Sequence, residues 1–72
     1  MSKKSRFQVK ANFRNKKTIL SLLNNHGAIN VSSNPTKDGD FNVFFSTKNE
    51  EVFDTISSEL TKLSVKIEKL NG

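Results

Sequence analysis

Arg6-Phe7-Gln8-Val9-Lys10-Ala11-Asn12-Phe13 is the stretch whose reading decides the fold. Successive side chains of an extended chain point to opposite sides. Phe7, Val9, Ala11 and Phe13 therefore share one face, and Arg6, Gln8, Lys10 and Asn12 share the other. An apolar face backed by a polar one is the pattern of a half-buried strand. Asp40-Phe41-Asn42-Val43-Phe44-Phe45-Ser46 alternates in the same way, with Phe41, Val43 and Phe45 on the apolar side. Two such strands need an apolar layer behind them and can leave their other side to water.

Two segments supply that layer. Ile19, Leu20, Leu22 and Leu23 recur at helical spacing after Asn15, which is a good N-cap residue, and His26-Gly27 closes the turn. Val52, Phe53, Ile56, Leu60 and Leu63 make a second apolar stripe, ended by Ser64. It starts at Thr47-Lys48-Asn49-Glu50, which fits a capping box with Glu50 reaching back to Thr47. Ala28 to Ser33 reads as a short strand with Ile29 and Val31 on one face, and Val65-Lys66-Ile67-Glu68 as a last one. Asn34-Pro35-Thr36-Lys37-Asp38-Gly39 is a turn.

The order is β-α-β-β-α-β. Short connections and right-handed crossovers favour an α+β, ferredoxin-like sandwich: a four-stranded antiparallel sheet with both helices on one face. Strands one and three should lie side by side at its centre, and we expect that pair to be parallel. Residues 6–70 should form one domain behind a flexible basic tail, residues 1–5.

Composition removes several function classes. The chain of 72 residues has no cysteine and one histidine, which excludes a disulfide framework and the usual zinc ligand sets. No apolar run is long enough for a membrane span, and no apolar segment follows the first five residues as a secretory signal requires. The expected location is the cytoplasm. Asp38-Gly39-Asp40 falls far short of a calcium loop, and no nucleophile elbow or phosphate-binding glycine loop is present. His26 fits a helix C-terminus, where its charge or a capping bond is favourable. Neither a catalytic residue, a metal site nor a cofactor is implied, and we expect a binding module rather than an enzyme.

The formal net charge of +5 and pI near 9.8 favour an acidic partner, either nucleic acid or an acidic protein surface, with no membrane. Abundant Lys and Asn also suit an AT-rich coding sequence such as a phage's. Arg14, Lys16 and Lys17 crowd the start of the first helix, where exposed N–H groups already carry positive potential. One reading is an anion site. The other is ion pairing with Glu50 and Glu51, if both helices begin at the same end of the sheet. The leading expectation is nucleic-acid binding through Lys3, Lys4, Arg6, Lys10, Arg14, Lys16 and Lys17.

The open sheet face offers a second expectation. It should present Arg6, Gln8, Lys10, Asn12, Asn30, Ser32, Asn42, Phe44, Lys66 and Glu68. A protein partner, such as that of a small inhibitor or adaptor, would meet Gln8, Asn42, Phe44 and Lys66, with Phe44 as anchor.

Two family patterns bear on these readings. The element order is similar to the RNA-recognition motif, which stacks bases on outward aromatics of its central strands. Asp38, Asp40 and Asn42 occupy those outward positions here, so that motif is rejected. Leu23-Asn24-Asn25-His26-Gly27-Ala28-Ile29-Asn30-Val31 resembles the helix-end, Gly, Ile-Asn-hydrophobic passage of ACT-type regulatory modules. That resemblance implies a ligand-sensing protein that dimerises edge to edge or through its helices. Arg14-Asn15-Lys16-Lys17 stands where that family typically has an Asp-x-Pro-Gly turn.

Overall fold

The computed structural model describes residues 6–70. Six elements follow the expected order: β1 (Arg6–Ala11), α1 (Lys16–Asn25), β2 (Ile29–Pro35), β3 (Phe41–Ser46), α2 (Glu50–Lys62) and β4 (Ile67–Leu70). The strands form one sheet in the order β2-β3-β1-β4, with every neighbouring pair antiparallel. This is the α+β ferredoxin-like sandwich. Lys3 and Lys4 lie outside the described residues.

β1 and β3 are indeed the central pair, but they run antiparallel, Arg6 opposite Ser46 and Ala11 opposite Phe41. The connections dictate this. The α1 crossover returns the chain so that β2 runs with β1, and the tight β2–β3 turn then reverses it. That turn is closed by Thr36 N–H to the Asp40 carbonyl (2.8 Å) and by Asp40 N–H to Thr36 Oγ1 (3.2 Å), with Gly39 at φ +88°.

The core lies between sheet and helices: Phe7, Val9 and Ala11 from β1, Val43 and Phe45 from β3, Ile19 and Leu23 from α1, Ile56 and Leu60 from α2. Phe7 lies between Phe45 and Phe53, with ring centroids 5.4 Å and 4.4 Å away. Burying a side chain of this size contributes about 1.5–3 kcal/mol.

Phe13 departs from the expected inward face and is 75% exposed. Pairing of β1 stops at Ala11, because Asn12 starts the turn into α1. Asn12 Oδ1 accepts the N–H groups of Arg14 and Asn15, both at 2.9 Å, and Asn15 Oδ1 accepts the Asn12 N–H at 2.8 Å. The Lys16 N–H reaches the Asn12 carbonyl at 2.9 Å. Asn15 holds the N-cap position of α1 as expected, but its side chain bonds back to Asn12 rather than into the helix, and Asn12 closes the turn ahead of it. At α2 the expected Thr47–Glu50 box is replaced by Asn49, whose side chain accepts the Val52 N–H at 2.9 Å.

Both helices end in the same device. The Ala28 N–H bonds to the Leu23 carbonyl and the Gly27 N–H to that of Asn24, with Gly27 at φ +82°. After α2, Val65 bonds back to Leu60 and Ser64 to Thr61, with Ser64 at φ 60°. The 6→1 and 5→2 bonds are those of a Schellman motif.

β2 is bulged. Ile29 pairs with Ser46, whereas Ser32 pairs with Phe44, so one residue is gained between them. Asn30, at φ 53°, sits in that bulge. The extra residue puts Ile29 on the open face with Ser32, opposite in sense to Val31. The expectation that Ile29 and Val31 share a face is thereby corrected. β4 also begins two residues later than expected, so Lys66 precedes the strand and Lys69 falls within it.

Candidate functional site

Register lays out the open face in transverse rows, since directly paired residues point the same way. Ile29, Ser46, Arg6 and Leu70 form one row, and Ser32, Phe44, Gln8 and Glu68 the next. Asn34, Asn42 and Lys10 form the third. Arg6 ties the first two together. Its guanidinium donates to the Asn30 carbonyl (3.3 Å) and Ser32 Oγ (3.4 Å), and its Cζ lies 5.8 Å from the Phe44 ring centroid. Gln8 Nε2 donates to Asn42 Oδ1 at 3.3 Å. The face thus gathers Gln8, Asn42 and Phe44 as expected, while Lys66 lies exposed just before β4.

Of the described cations expected to form one basic surface, Arg6 stands apart and Lys10, Arg14, Lys16 and Lys17 gather at the other end of β1. Arg6 lies at the end of β1 paired with Ser46, and Lys10 near the end paired with Phe41. Arg14 and Lys17 are exposed beyond that second end. Lys16 Nζ sits 4.1 Å from the Phe41 ring centroid, a cation–π contact worth about 0.5–1 kcal/mol at an exposed site.

The structure removes one of the two explanations of the helix-start cations. Asn12 takes the Arg14 and Asn15 N–H groups ahead of the helix, and no side chain caps α1 itself. Pairing with Glu50 and Glu51 fails because the helices begin at opposite ends of the sheet. α1 follows Ala11, at the Phe41 end, and α2 follows Ser46, at the Arg6 end. Among the described residues the ion pair is Lys62–Glu59, 3.1 Å apart and exposed. His26 meets the other helix instead: it caps α1 and lines a shallow hollow with Glu51 and Asp54.

The best-formed concavity lies where the start of α2 meets the β4 edge. It is an open groove of ≈ 580 Å³, within the roughly 300–1,000 Å³ of small-molecule sites. Phe7 and the half-buried Phe53 make its apolar wall, stacked at 4.4 Å with 25° between ring planes. Four charged side chains line it: Lys48 and Lys69, with Glu50 and Asp54.

Local structure explains each position. Lys69 pairs with Phe7 across β1 and β4, so it stands on the helix side of the sheet. A lysine on the inner side of an edge strand also discourages pairing with another chain. Lys48 belongs to the β3–α2 connection, and Glu50 and Asp54 to the first turns of α2, where carboxylates favour the helix dipole.

None of these four residues was a candidate from sequence. Lys69 lay beyond the expected last strand, and Lys48 and Glu50 read as parts of a cap. An inward lysine opposite Phe7 was the available signal, and it needed the β4 register. Phe7 is covered by Phe45 and Phe53, so the accessible apolar surface beside both signs of charge is that of Phe53 and Ile67. Among the described residues no group of three or more His, Cys, Asp or Glu is placed to hold a metal ion. No helix among them is long and apolar enough to cross a membrane.

No family model matches the chain, and no curated protein matches it. Solved structures do. The apo form of CPII from Thiomonas intermedia, a nitrogen regulatory PII-like protein, superposes with a TM-score of 0.73 at 10% identity, covering 93% of this chain and 90% of that one. The structure of CPII bound to ADP, AMP and bicarbonate gives 0.72 at 10% identity, covering 96% and 91%. A putative PII-like signaling protein from Thermus thermophilus gives 0.65 at 14% identity, covering 93% and 85%. At these identities the likeness establishes the fold.

These likenesses correct the sequence reading. The neighbours are PII-like proteins rather than ACT modules, and the homodimer that resemblance implied loses its basis. The nucleic-acid reading, and with it the acidic-partner assignment of the basic residues, gives way to these neighbours, which include a regulatory protein seen with ADP, AMP and bicarbonate. Within the chain, Arg6 and Lys16 are already engaged. A phage origin gains no support from neighbours found in two bacteria.

Proposed function

We propose that this chain is a non-catalytic regulatory module that senses an adenine nucleotide in the groove between β4 and the start of α2. The observation that carries the reading is the pairing, in one concavity, of a stacked Phe7/Phe53 wall with Lys48 and Lys69. A purine ring on an aromatic face gains about 1–3 kcal/mol. Lysine is a common phosphate ligand, acting as a point charge. The fold likeness to CPII, seen with ADP, AMP and bicarbonate, supports the ligand class.

The open groove should hold such a ligand with a Kd on the order of 0.1–1 mM, far from the ceiling for enclosed sites. Isothermal titration with AMP and ADP tests this, with ribose 5-phosphate as the control for base stacking. Lys48→Glu/Lys69→Glu should abolish the heat of binding while leaving the circular dichroism spectrum unchanged. Absence of nucleotide binding by the wild type, or equal binding by the double variant, refutes the reading.

The open sheet face supports a companion reading, a protein-docking surface through which the bound state is reported. Its favouring observation is Phe44, half-buried in mid-sheet, flanked in register by Ser32 and Gln8 with Asn42 two residues away. In a nuclease-treated pull-down, Phe44→Ala should lose a partner that the wild type retains. Retention by the variant removes Phe44 as the anchor.

A further inference from the structure

The fold sorts the charges of the chain into two unequal ends. β1 and the start of α1 bring Lys10, Arg14, Lys16 and Lys17 to the Ala11–Phe41 end of the sheet. The β2–β3 turn reaches the same end, because β3 starts at Phe41, and it adds Lys37 with Asp38 and Asp40. α2 starts at the Ser46 end and so finishes here, adding Lys62, paired with Glu59, and Lys66 ahead of β4. Among the described residues, seven cations thus stand with three carboxylates at this end. Toward the other, Arg6, Lys48 and Lys69 stand with Glu50, Glu51, Asp54 and Glu68, an excess of one negative charge. The six residues of β1 hold the ends about 20 Å apart at roughly 3.3 Å per residue. That exceeds the Debye length of about 8 Å at physiological ionic strength, so the basic end keeps its own potential.

The same end exposes apolar surface. Phe13 is 75% exposed and Leu63 is 40% exposed. Phe13 lies in the β1–α1 turn, which Asn12 holds through the Arg14 and Asn15 N–H groups. A ring fixed in this way has little ordering left to lose on binding. Leu63 is the C-cap residue of α2. Two such side chains fall far short of the roughly 800 Å² per partner of a specific protein interface. A nucleic-acid strand stacks its bases on aromatic faces and gains nothing from a leucine. Phe and Leu set among Lys and Arg suit the surface of an anionic bilayer, where apolar groups enter the headgroup boundary and cations meet the lipid charge.

We infer that the Ala11–Phe41 end docks on an anionic membrane surface, with Phe13 and Leu63 entering the interface and Lys10, Arg14, Lys17 and Lys37 meeting the headgroups. The sequence reading expected no membrane partner. The lack of a long apolar run excludes a span, but not a surface contact whose residues lie between positions 10 and 66. Docking here leaves the groove at the opposite end open, and it does not depend on what that groove binds.

The test is co-sedimentation of the full chain with vesicles of phosphatidylcholine alone and of an equal mixture of phosphatidylcholine and phosphatidylglycerol. The wild type should sediment with the mixed vesicles only, and less so as salt rises from about 0.02 M to about 0.15 M. Phe13→Ser should weaken partitioning about five- to twentyfold. Arg14→Glu/Lys17→Glu should weaken it by at least about thirtyfold. Circular dichroism melts check that both variants are folded. The chain has no Trp or Tyr, so Phe13→Trp supplies a lone fluorophore of the kind that favours the interface, and its emission should shift to the blue with mixed vesicles. No sedimentation of the wild type, equal sedimentation with neutral vesicles, an unshifted indole, or full binding by the folded Phe13→Ser variant overturns the inference. So does an indole quenched by a single-stranded oligonucleotide at a lower phosphate concentration than vesicles need to shift it, which assigns this end to a polynucleotide.

Discussion

Replacing Asn12 by alanine tests the least expected feature of the backbone, the clamp that turns β1 into α1. Asn12 Oδ1 receives two backbone N–H groups at 2.9 Å, and Asn15 Oδ1 receives one at 2.8 Å. Loss of an N-cap side chain costs about 0.5–2 kcal/mol, and loss of both bonds places Asn12→Ala in the upper half, about 1–2 kcal/mol. Asn15→Ala removes a single exposed bond, whose net contribution is about 0.5–1 kcal/mol. A domain of this size holds roughly 4–10 kcal/mol in all. At about 4–8 °C per kcal/mol, Asn12→Ala should lower Tm by about 4–16 °C, and Asn15→Ala by at most half as much. Asn12→Asp keeps the acceptors and adds a carboxylate to a helix start with no acidic residue in its first turn, so it should stabilise by about 0.3–1 kcal/mol. Urea and thermal unfolding followed by circular dichroism measure all three, with an unchanged m-value showing that the unfolded state is not the cause. If Asn15→Ala costs as much as Asn12→Ala, Asn12 is not the dominant member of the clamp and the reasoning is refuted.

Two backbone positions make opposite predictions. A Cβ on Gly27 would meet nothing within 4 Å, so Gly27→Ala isolates the left-handed backbone penalty and should cost about 1–2 kcal/mol in urea unfolding. Ser64 already bears that strain at φ 60°, and Ser64→Gly should raise stability by about 0.5–1 kcal/mol after the unfolded-state entropy of glycine is deducted. Phe13→Ser should change stability by less than about 0.5 kcal/mol, because the ring is 75% exposed, and a loss above 2 kcal/mol would place it back in the core.

The central strands were legible because alternation is a local signal with a single period. Phe7, Val9, Val43 and Phe45 could face only one way once the chain was extended. The alternation misled at its margin, where Phe13 kept the parity but not the strand. Nothing in parity says where pairing stops, and here a side-chain-to-backbone clamp at Asn12 stops it. Ile29 was misplaced for the complementary reason. One bulged residue, Asn30, reverses the face of everything before it, and Asn tolerates that backbone without announcing it.

The site was hidden for a topological reason. Composition and charge are sums along the chain, and a groove depends on which residues the crossovers bring to one end. Reading both helices as starting at the same end put Lys16 and Lys17 beside Glu50 and Glu51 and cancelled them. The antiparallel β1–β3 register separates them by the length of the sheet. One end then keeps a cation-rich turn that presents Phe13. The other keeps a mixed-charge groove whose wall is Phe7 and Phe53. The net charge of +5 describes neither end, so recognition by this chain must be argued from the potential at each end separately. Among the described residues, the cations gathered at the Phe41 end and the mixed charges of the groove stand on opposite ends of the sheet, so each end presents its own potential to a ligand.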